Sequence, residues 1–126
     1  MNGDQVLQLL EEEMEKHRLL DYGWTYQLDE EKRQFGCCCY ERRVISISRP
    51  LAVSNTENHV LNTIRHEIAH ALVGAGHWHD EVWRLKAIEI GCNGEEFHHC
   101  FVKKVPPRSR VPDDCSVIHL PYDPRK

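Results

Sequence analysis

The sequence has no long apolar run and no excess of basic residues. No stretch approaches the roughly 20 apolar residues that a membrane-spanning helix needs, and residues 1–4 do not begin a basic region followed by an apolar one, as in a secretion signal. We therefore expect a cytoplasmic protein with no membrane partner, in the host cytoplasm if the source is a virus. The net charge of −4 argues against strong intrinsic affinity for nucleic acid, because phosphate binding needs a basic surface.

The chain also lacks internal repeats and low-complexity tracts, and its 126 residues suffice for one domain but not for two. Hydrophobic residues make up 40% and charged residues 29%, which is typical of an ordinary globular protein. The apolar periodicity fades after about residue 92, and five prolines follow between residues 106 and 124. We expect a single domain over residues 1–126, with an ordered core over 4–92, an irregular extension over 93–126 and a monomeric state.

The six cysteines do not have the pattern of a disulfide scaffold. Cys37, Cys38 and Cys39 are consecutive, and consecutive residues of a strand alternate between its two faces, so the three are poorly placed for pairing. Together with the expected cytoplasmic location, this spacing favours reduced thiols.

The segment from residue 66 to residue 70 reads His-Glu-Ile-Ala-His. In a helix, His66 and His70 lie on one face, with imidazoles close enough to share one Zn²⁺. The Glu67 carboxylate can then reach a metal-bound water without ligating the metal. The alternative is a surface helix with two histidines and an ion pair. Five of the nine histidines fall between residues 59 and 79, which fits a metal site, although such a density also makes a chance match easier.

A catalytic zinc has three protein ligands and one open position, so a third ligand must come from elsewhere. His77 and His79 both lie in the loop after the motif, and alternate residues of an extended loop point in opposite directions. We favour His79, because it directly precedes Asp80, whose side chain can cap the next helix or orient His79 itself. His77 is then an exposed or supporting residue. If both histidines ligated, the site would be closed and structural.

Apolar residues near the helical period predict an N-terminal helix over residues 4–20. Alternating patterns predict three strands, which cover residues 24–28, 35–40 and 44–48. The last two are expected to form an antiparallel pair, which ends at Arg49-Pro50 because proline cannot donate to a ladder. The edge of Val44–Ser48 is a candidate for aligning an extended substrate by strand addition.

Ser54 and Glu57 fit a capping box at the start of the helix that carries the motif. Gly74 and Gly76 end this helix and allow a sharp turn, and a second helix is expected over residues 81–90. The fold class is therefore α+β: an N-terminal helix, a small antiparallel sheet of about three strands, two further helices and an irregular C-terminal tail. One short strand is expected in that tail near residues 117–120.

The motif and the residues after it resemble the SprT-like zinc metallopeptidases, the group that includes the Spartan repair proteases. Residues 66–72 read His-Glu-Ile-Ala-His-Ala-Leu, and residues 76–83 read Gly-His-Trp-His-Asp-Glu-Val-Trp. Residues 35–40 and 43–48 are similar to the hairpin that precedes the catalytic helix in that family. The resemblance implies a zincin-type catalytic helix, a third zinc ligand at His79 and protein substrates. The eukaryotic members of the family clear proteins crosslinked to DNA.

The chain departs from many of these relatives in having no Cys-x-x-Cys pair from which to build a zinc ribbon. Cys92, Cys100 and Cys115 lie near His98 and His99, so a second, structural metal is an open alternative to buried reduced thiols. Without a ribbon, contact with DNA is expected to be weak and non-specific. It would use the basic side chains of the C-terminal extension, which are Lys103, Lys104, Arg108 and Arg110.

We expect a zinc metalloendopeptidase with one catalytic Zn²⁺, with Glu67 as general base. Its substrates would be proteins or peptides, DNA-associated proteins among them. His77 and Tyr40 are the candidates for an additional oxyanion donor. The competing interpretation is a non-catalytic zinc module that acts as a structural or interaction domain. Hydrolysis of a non-peptide amide uses the same chemistry and stays open.

Overall fold

The computed structural model describes residues 1–95 and 117–119 of the chain and confirms the α+β class. In chain order the elements are α1 (Gly3–Lys16), a 3-10 turn (Leu20–Tyr22), β1 (Thr25–Asp29), β2 (Gly36–Cys39), β3 (Val44–Ser48), α2 (Arg49–Val53), α3 (Glu57–Val73), α4 (Glu81–Glu89) and β4 (Val117–His119). Among the described residues, no helix combines the length and the apolar character needed to cross a membrane.

Helix α1 is shorter than its apolar periodicity predicts. It begins with a capping box between Asn2 and Gln5 and ends at Lys16. Arg18 has a left-handed backbone with φ of 63°, so the α-helix does not continue through the remaining predicted residues. The buried side of α1 packs against the sheet, α2 and α3 and consists of Val6, Leu10, Glu13 and Met14.

The sheet is mixed, not antiparallel as expected, and its strand order is β1-β3-β2-β4. Strands β2 and β3 form the predicted antiparallel hairpin, with Gly36 opposite Ile47. Strand β1 lies parallel to β3, with Thr25 opposite Val44. The loop after Asp29 carries the chain past β3, so β2 forms on its far side and β1 is left beside β3. Strand β3 is therefore interior and offers no free edge for strand addition.

Strand β4 is a fourth strand, on the outer side of β2, with Cys37 opposite Ile118 in an antiparallel pair. It lies within the predicted residues 117–120. Cys37 is disulfide-bonded, whereas Cys38, Cys39 and Cys92 are reduced. The expectation of reduced thiols is thus wrong for Cys37, whose partner lies outside the described residues. The strand pairing places residues 117–119 beside β2, with Ile118 opposite Cys37, which spacing alone does not predict.

The start of α3 also differs from the prediction. Arg49 and Pro50 end β3 as expected, but they also open the short helix α2, which Ser48 caps. Ser54 closes α2 and donates its hydroxyl hydrogen bond to the Pro50 carbonyl. The N-cap of α3 is therefore Thr56, whose Oγ1 accepts a hydrogen bond from the His59 N–H at 3.2 Å. The predicted cap was two residues too early.

Helix α3 is buried on two sides. Val60, Ile64 and Ile68 join the main core with α1 and the sheet. On another side, α4 packs against α3 through a smaller cluster of Ala69, Trp83, Ala87 and Cys92. His66, Glu67 and His70 are all fully buried, so the motif does not lie on a surface helix.

Candidate metal centre

His66 and His70 are placed by helix α3, one helical turn apart on the same side. Their ring centroids are 5.2 Å apart, and both side chains are buried. Two imidazoles at this spacing can bind one metal ion from the same helical face.

The reversal of the chain after α3 brings a third imidazole to this face. Gly74 and Gly76 have left-handed φ values of 86° and 97°, which glycine adopts at no steric cost, and α4 returns against α3. His79 lies at the end of the loop, with its Nε2 atom 3.1 Å from Nε2 of His66. The ligand atoms of His66, His70 and His79 all lie within 4.8 Å of one another.

This donor set fits a zinc ion. Imidazole nitrogens suit Zn²⁺, and three protein ligands leave a tetrahedral site with one open position. With Zn–N distances of about 2.0–2.1 Å, two ligand nitrogens of a tetrahedral site are about 3.3–3.4 Å apart. The 3.1 Å between the two Nε2 atoms is close to that spacing.

His77 is engaged elsewhere. Its Nδ1 lies 2.8 Å from Oδ2 of Asp80, and the group of potential ligands includes His79 but not His77. The other oxygen of Asp80 accepts the Trp83 N–H at 3.0 Å and caps α4. These bonds, first from the Trp83 N–H and then from His77, hold the pKa of Asp80 below its usual value. Of the two expected roles of Asp80, the structure displays helix capping.

Glu67 follows His66 on α3 and is buried against strand β2. A Cβ atom on Gly36 would lie 3.0 Å from both Cγ and Oε2 of Glu67, so any larger residue at position 36 would require Glu67 to shift by a few tenths of an ångström. Burial raises the pKa of the Glu67 carboxyl well above its ordinary value. A divalent cation at the three imidazoles would oppose this effect and favour the carboxylate.

Trp83 underlies all three imidazoles. Its ring centroid is 4.7 Å from His66, 5.1 Å from His70 and 4.7 Å from His79, and its Nε1 donates to the His66 carbonyl at 3.3 Å. Apolar periodicity in α4 indicates that Trp83 is buried, but it does not indicate contact with the histidines. The spacing of Asp80 and Trp83, which places a cap and an aromatic residue on one turn, is the signal that could have revealed it.

Tyr40 ties the β-hairpin to the metal centre. Its hydroxyl donates a hydrogen bond to the His70 carbonyl at 3.1 Å, and its ring meets Trp24 edge-on with centroids 6.3 Å apart. Burial raises the pKa of the Tyr40 hydroxyl far above its ordinary value, so it stays protonated and keeps this bond at neutral pH. Tyr40 therefore supports the position of His70. Its hydroxyl proton is donated to the His70 carbonyl and not to a substrate oxygen.

Several predicted site residues lie outside the described residues. They are the basic side chains Lys103, Lys104, Arg108 and Arg110, and the possible second-metal residues His98, His99, Cys100 and Cys115. Cys92 is described: it is buried beside Ala69, Trp83 and Ala87, and burial raises the pKa of its thiol.

Comparison with known proteins supports one assignment. The model of the SprT-like family matches residues 4–107, a range that includes strands β1 to β3, helices α3 and α4 and every residue of the metal centre. Neither the curated proteins nor the solved structures contain a match to this chain. Since the family model covers most of the sequence, this chain belongs to the SprT-like family.

Proposed function

We propose that this protein is a zinc-dependent endopeptidase that acts in the cytoplasm on protein or peptide substrates, DNA-associated proteins among them. The observation that carries the proposal is the convergence of His66, His70 and His79 within 4.8 Å, with Glu67 on the same helix. A metal-binding group and a carboxylate in this arrangement are the elements of metal-assisted hydrolysis.

His66, His70 and His79 would hold the metal as neutral imidazoles. When bound, Zn²⁺ supplies Lewis acidity, which lowers the pKa of water towards about 7 and polarises a carbonyl group. Trp83 keeps the three rings in position, and Tyr40 fixes the backbone of His70. Because these supports are buried or bonded to the backbone, little reorganisation is needed when the metal binds.

Glu67 would transfer a proton from the attacking water to the leaving amine. One oxygen of its carboxylate accepts a proton from the attacking water, and the resulting carboxylic acid can donate that proton to the amine that leaves. Burial raises the pKa of the Glu67 carboxyl, and a cation bound at the three imidazoles would favour the carboxylate that acts as the base. Gly36 lets β2 approach the carboxylate closely.

The competing interpretation, a zinc module without catalysis, needs no positioned carboxylate and would close the site with a fourth protein ligand. His77 is the nearest further histidine in the sequence, and its Nδ1 is bonded to Asp80. The arrangement of His77 therefore favours the open, catalytic site.

The test compares zinc-loaded wild type with Glu67→Gln on an unfolded, fluorescently labelled protein. Glu57→Gln is the matched control, since Glu57 is an exposed carboxylate on the same helix. We expect Glu67→Gln to retain one zinc per chain and to lose about 10²–10⁴-fold in rate, the usual contribution of a general base. Full activity in zinc-loaded Glu67→Gln would contradict the assigned base. A wild type that holds zinc but cleaves nothing would support the non-catalytic module.

A further inference from the structure

Trp78 is a large aromatic residue that lies in the open at the edge of the metal centre. Its side chain is 53% exposed, whereas Trp24 and Trp83 are 8% and 0% exposed. Its ring centroid lies 4.8 Å from that of His79 and 6.5 Å from that of His70. An exposed indole thus stands beside two of the three potential metal ligands.

The backbone around Trp78 is held on both sides. Before it, the Gly74 N–H donates to the His70 carbonyl at the end of α3. After it, Asp80 caps α4 and also binds His77. These bonds anchor the two ends of the loop that carries Trp78, and the indole itself lies against the His79 ring.

We propose that Trp78 forms an apolar wall of the substrate-binding site and selects substrates with a large apolar side chain next to the scissile bond. This inference rests on the proposed peptidase function and names the substrate class of the same site. Trp78 lies beside both His70 and His79, so a polypeptide bound at these histidines would come within side-chain reach of its indole. An aromatic or aliphatic substrate side chain would cover the exposed indole and be removed from water with it. A charged side chain there would lose hydration without gaining a partner.

The test uses peptide hydroxamates, which bind a zinc ion directly and place one side chain beside it, so that catalysis is not required. A matched pair carries Phe or Ala at that position. Affinities for the zinc-loaded protein are measured by calorimetry after the zinc content of each variant has been determined. We expect wild type to prefer the Phe compound by roughly tenfold, in line with the selectivity of apolar pockets for larger side chains.

Trp78→Ala should reduce this preference to near unity, whereas Trp78→Phe should keep most of it. Leu85→Ala is the control, because Leu85 is a similarly exposed apolar residue, at 57%, on the next helix; it should leave the preference unchanged. Equal affinities of the two compounds for wild type, or an unchanged preference in Trp78→Ala, would overturn the proposal. If the preference behaves as expected but wild type hydrolyses no protein, the peptidase function fails and Trp78 stands as a binding residue only.

Discussion

The indole of Trp83 lies nearly parallel to the imidazole of His70, with ring centroids 5.1 Å apart and planes inclined by 20°. The two residues come from different helices, so this contact joins α4 to the helix that carries the motif. The same indole reaches His66 and His79. Packing in the smaller core and the arrangement of the metal centre therefore depend on one side chain.

Replacing Trp83 should affect stability and zinc binding together. We expect Trp83→Ala to lower the free energy of unfolding by about 3–5 kcal/mol, as for other large aromatic residues removed from a core, and to weaken zinc binding. Trp83→Phe keeps an aromatic ring but loses the bond to the His66 carbonyl, so its effects should be smaller. Urea unfolding of the metal-free protein and zinc titration measure the two effects. Leu85→Ala, on the exposed side of the same helix, should change stability by less than about 0.5 kcal/mol.

Gly36→Ala tests the closeness of β2 to Glu67. The new methyl group would lie 3.0 Å from the Glu67 carboxylate, which must then shift by a few tenths of an ångström. We expect hydrolysis to fall roughly 10–100-fold, because small misplacements of a catalytic group are costly, while zinc content stays at one per chain. Gly3→Ala is the control, since its Cβ would meet only flexible side chains, the nearest at 3.4 Å. Unaltered hydrolysis in Gly36→Ala would show that the position of Glu67 is not critical.

Replacing each of the two loop histidines, His77 and His79, should have opposite effects on zinc content. His79→Ala should abolish stoichiometric zinc, as should His66→Ala and His70→Ala, because each removes one of three ligands. His77→Ala should retain one zinc per chain, since His77 is bonded to Asp80. Elemental analysis of the purified variants measures the zinc directly. Zinc kept in His79→Ala and lost in His77→Ala would reverse the assignment of the third ligand.

Contact with DNA is expected to be weak and dominated by charge. The protein has a net charge of −4, and its basic cluster consists of Lys103, Lys104, Arg108 and Arg110, outside the described residues. We expect dissociation constants of roughly 10⁻⁴–10⁻⁶ M that rise steeply with salt. A salt-titrated binding measurement on wild type and on the fourfold alanine variant tests this. Tight or sequence-selective binding that survives the substitutions would reveal a DNA-binding element elsewhere in the chain.

Much of the fold follows from local patterns. Apolar periodicity predicts α3 and α4, and alternation predicts the hairpin of β2 and β3, because these signals arise between neighbouring residues. The parallel pairing of β1 with β3 and the disulfide at Cys37 depend on residues distant in sequence, and no local pattern specifies them. The N-cap of α3 was misplaced because Ser54 and Thr56 are both suitable caps. Only the short helix α2 between them shows which of the two is used.

The residues of the candidate metal centre, like the fold, could be predicted from the sequence only in part. The spacing of His66 and His70 identifies the metal-binding face directly, whereas the choice between His77 and His79 depends on how the loop turns. Gly36 illustrates what the sequence alone conceals: a glycine within an apolar strand indicates a close approach, but only the folded chain identifies Glu67 as the approaching group.

The most direct test of the account is a crystal structure of the zinc-loaded protein, with the metal located by anomalous scattering at the zinc edge. We predict one Zn²⁺ bound by His66, His70 and His79 at about 2.0–2.1 Å from each nitrogen, with water in the fourth position. A fourth ligand from the protein, such as His77, would mean a closed structural site and would contradict the catalytic function. A zinc ion bound away from these three histidines would contradict the metal centre itself.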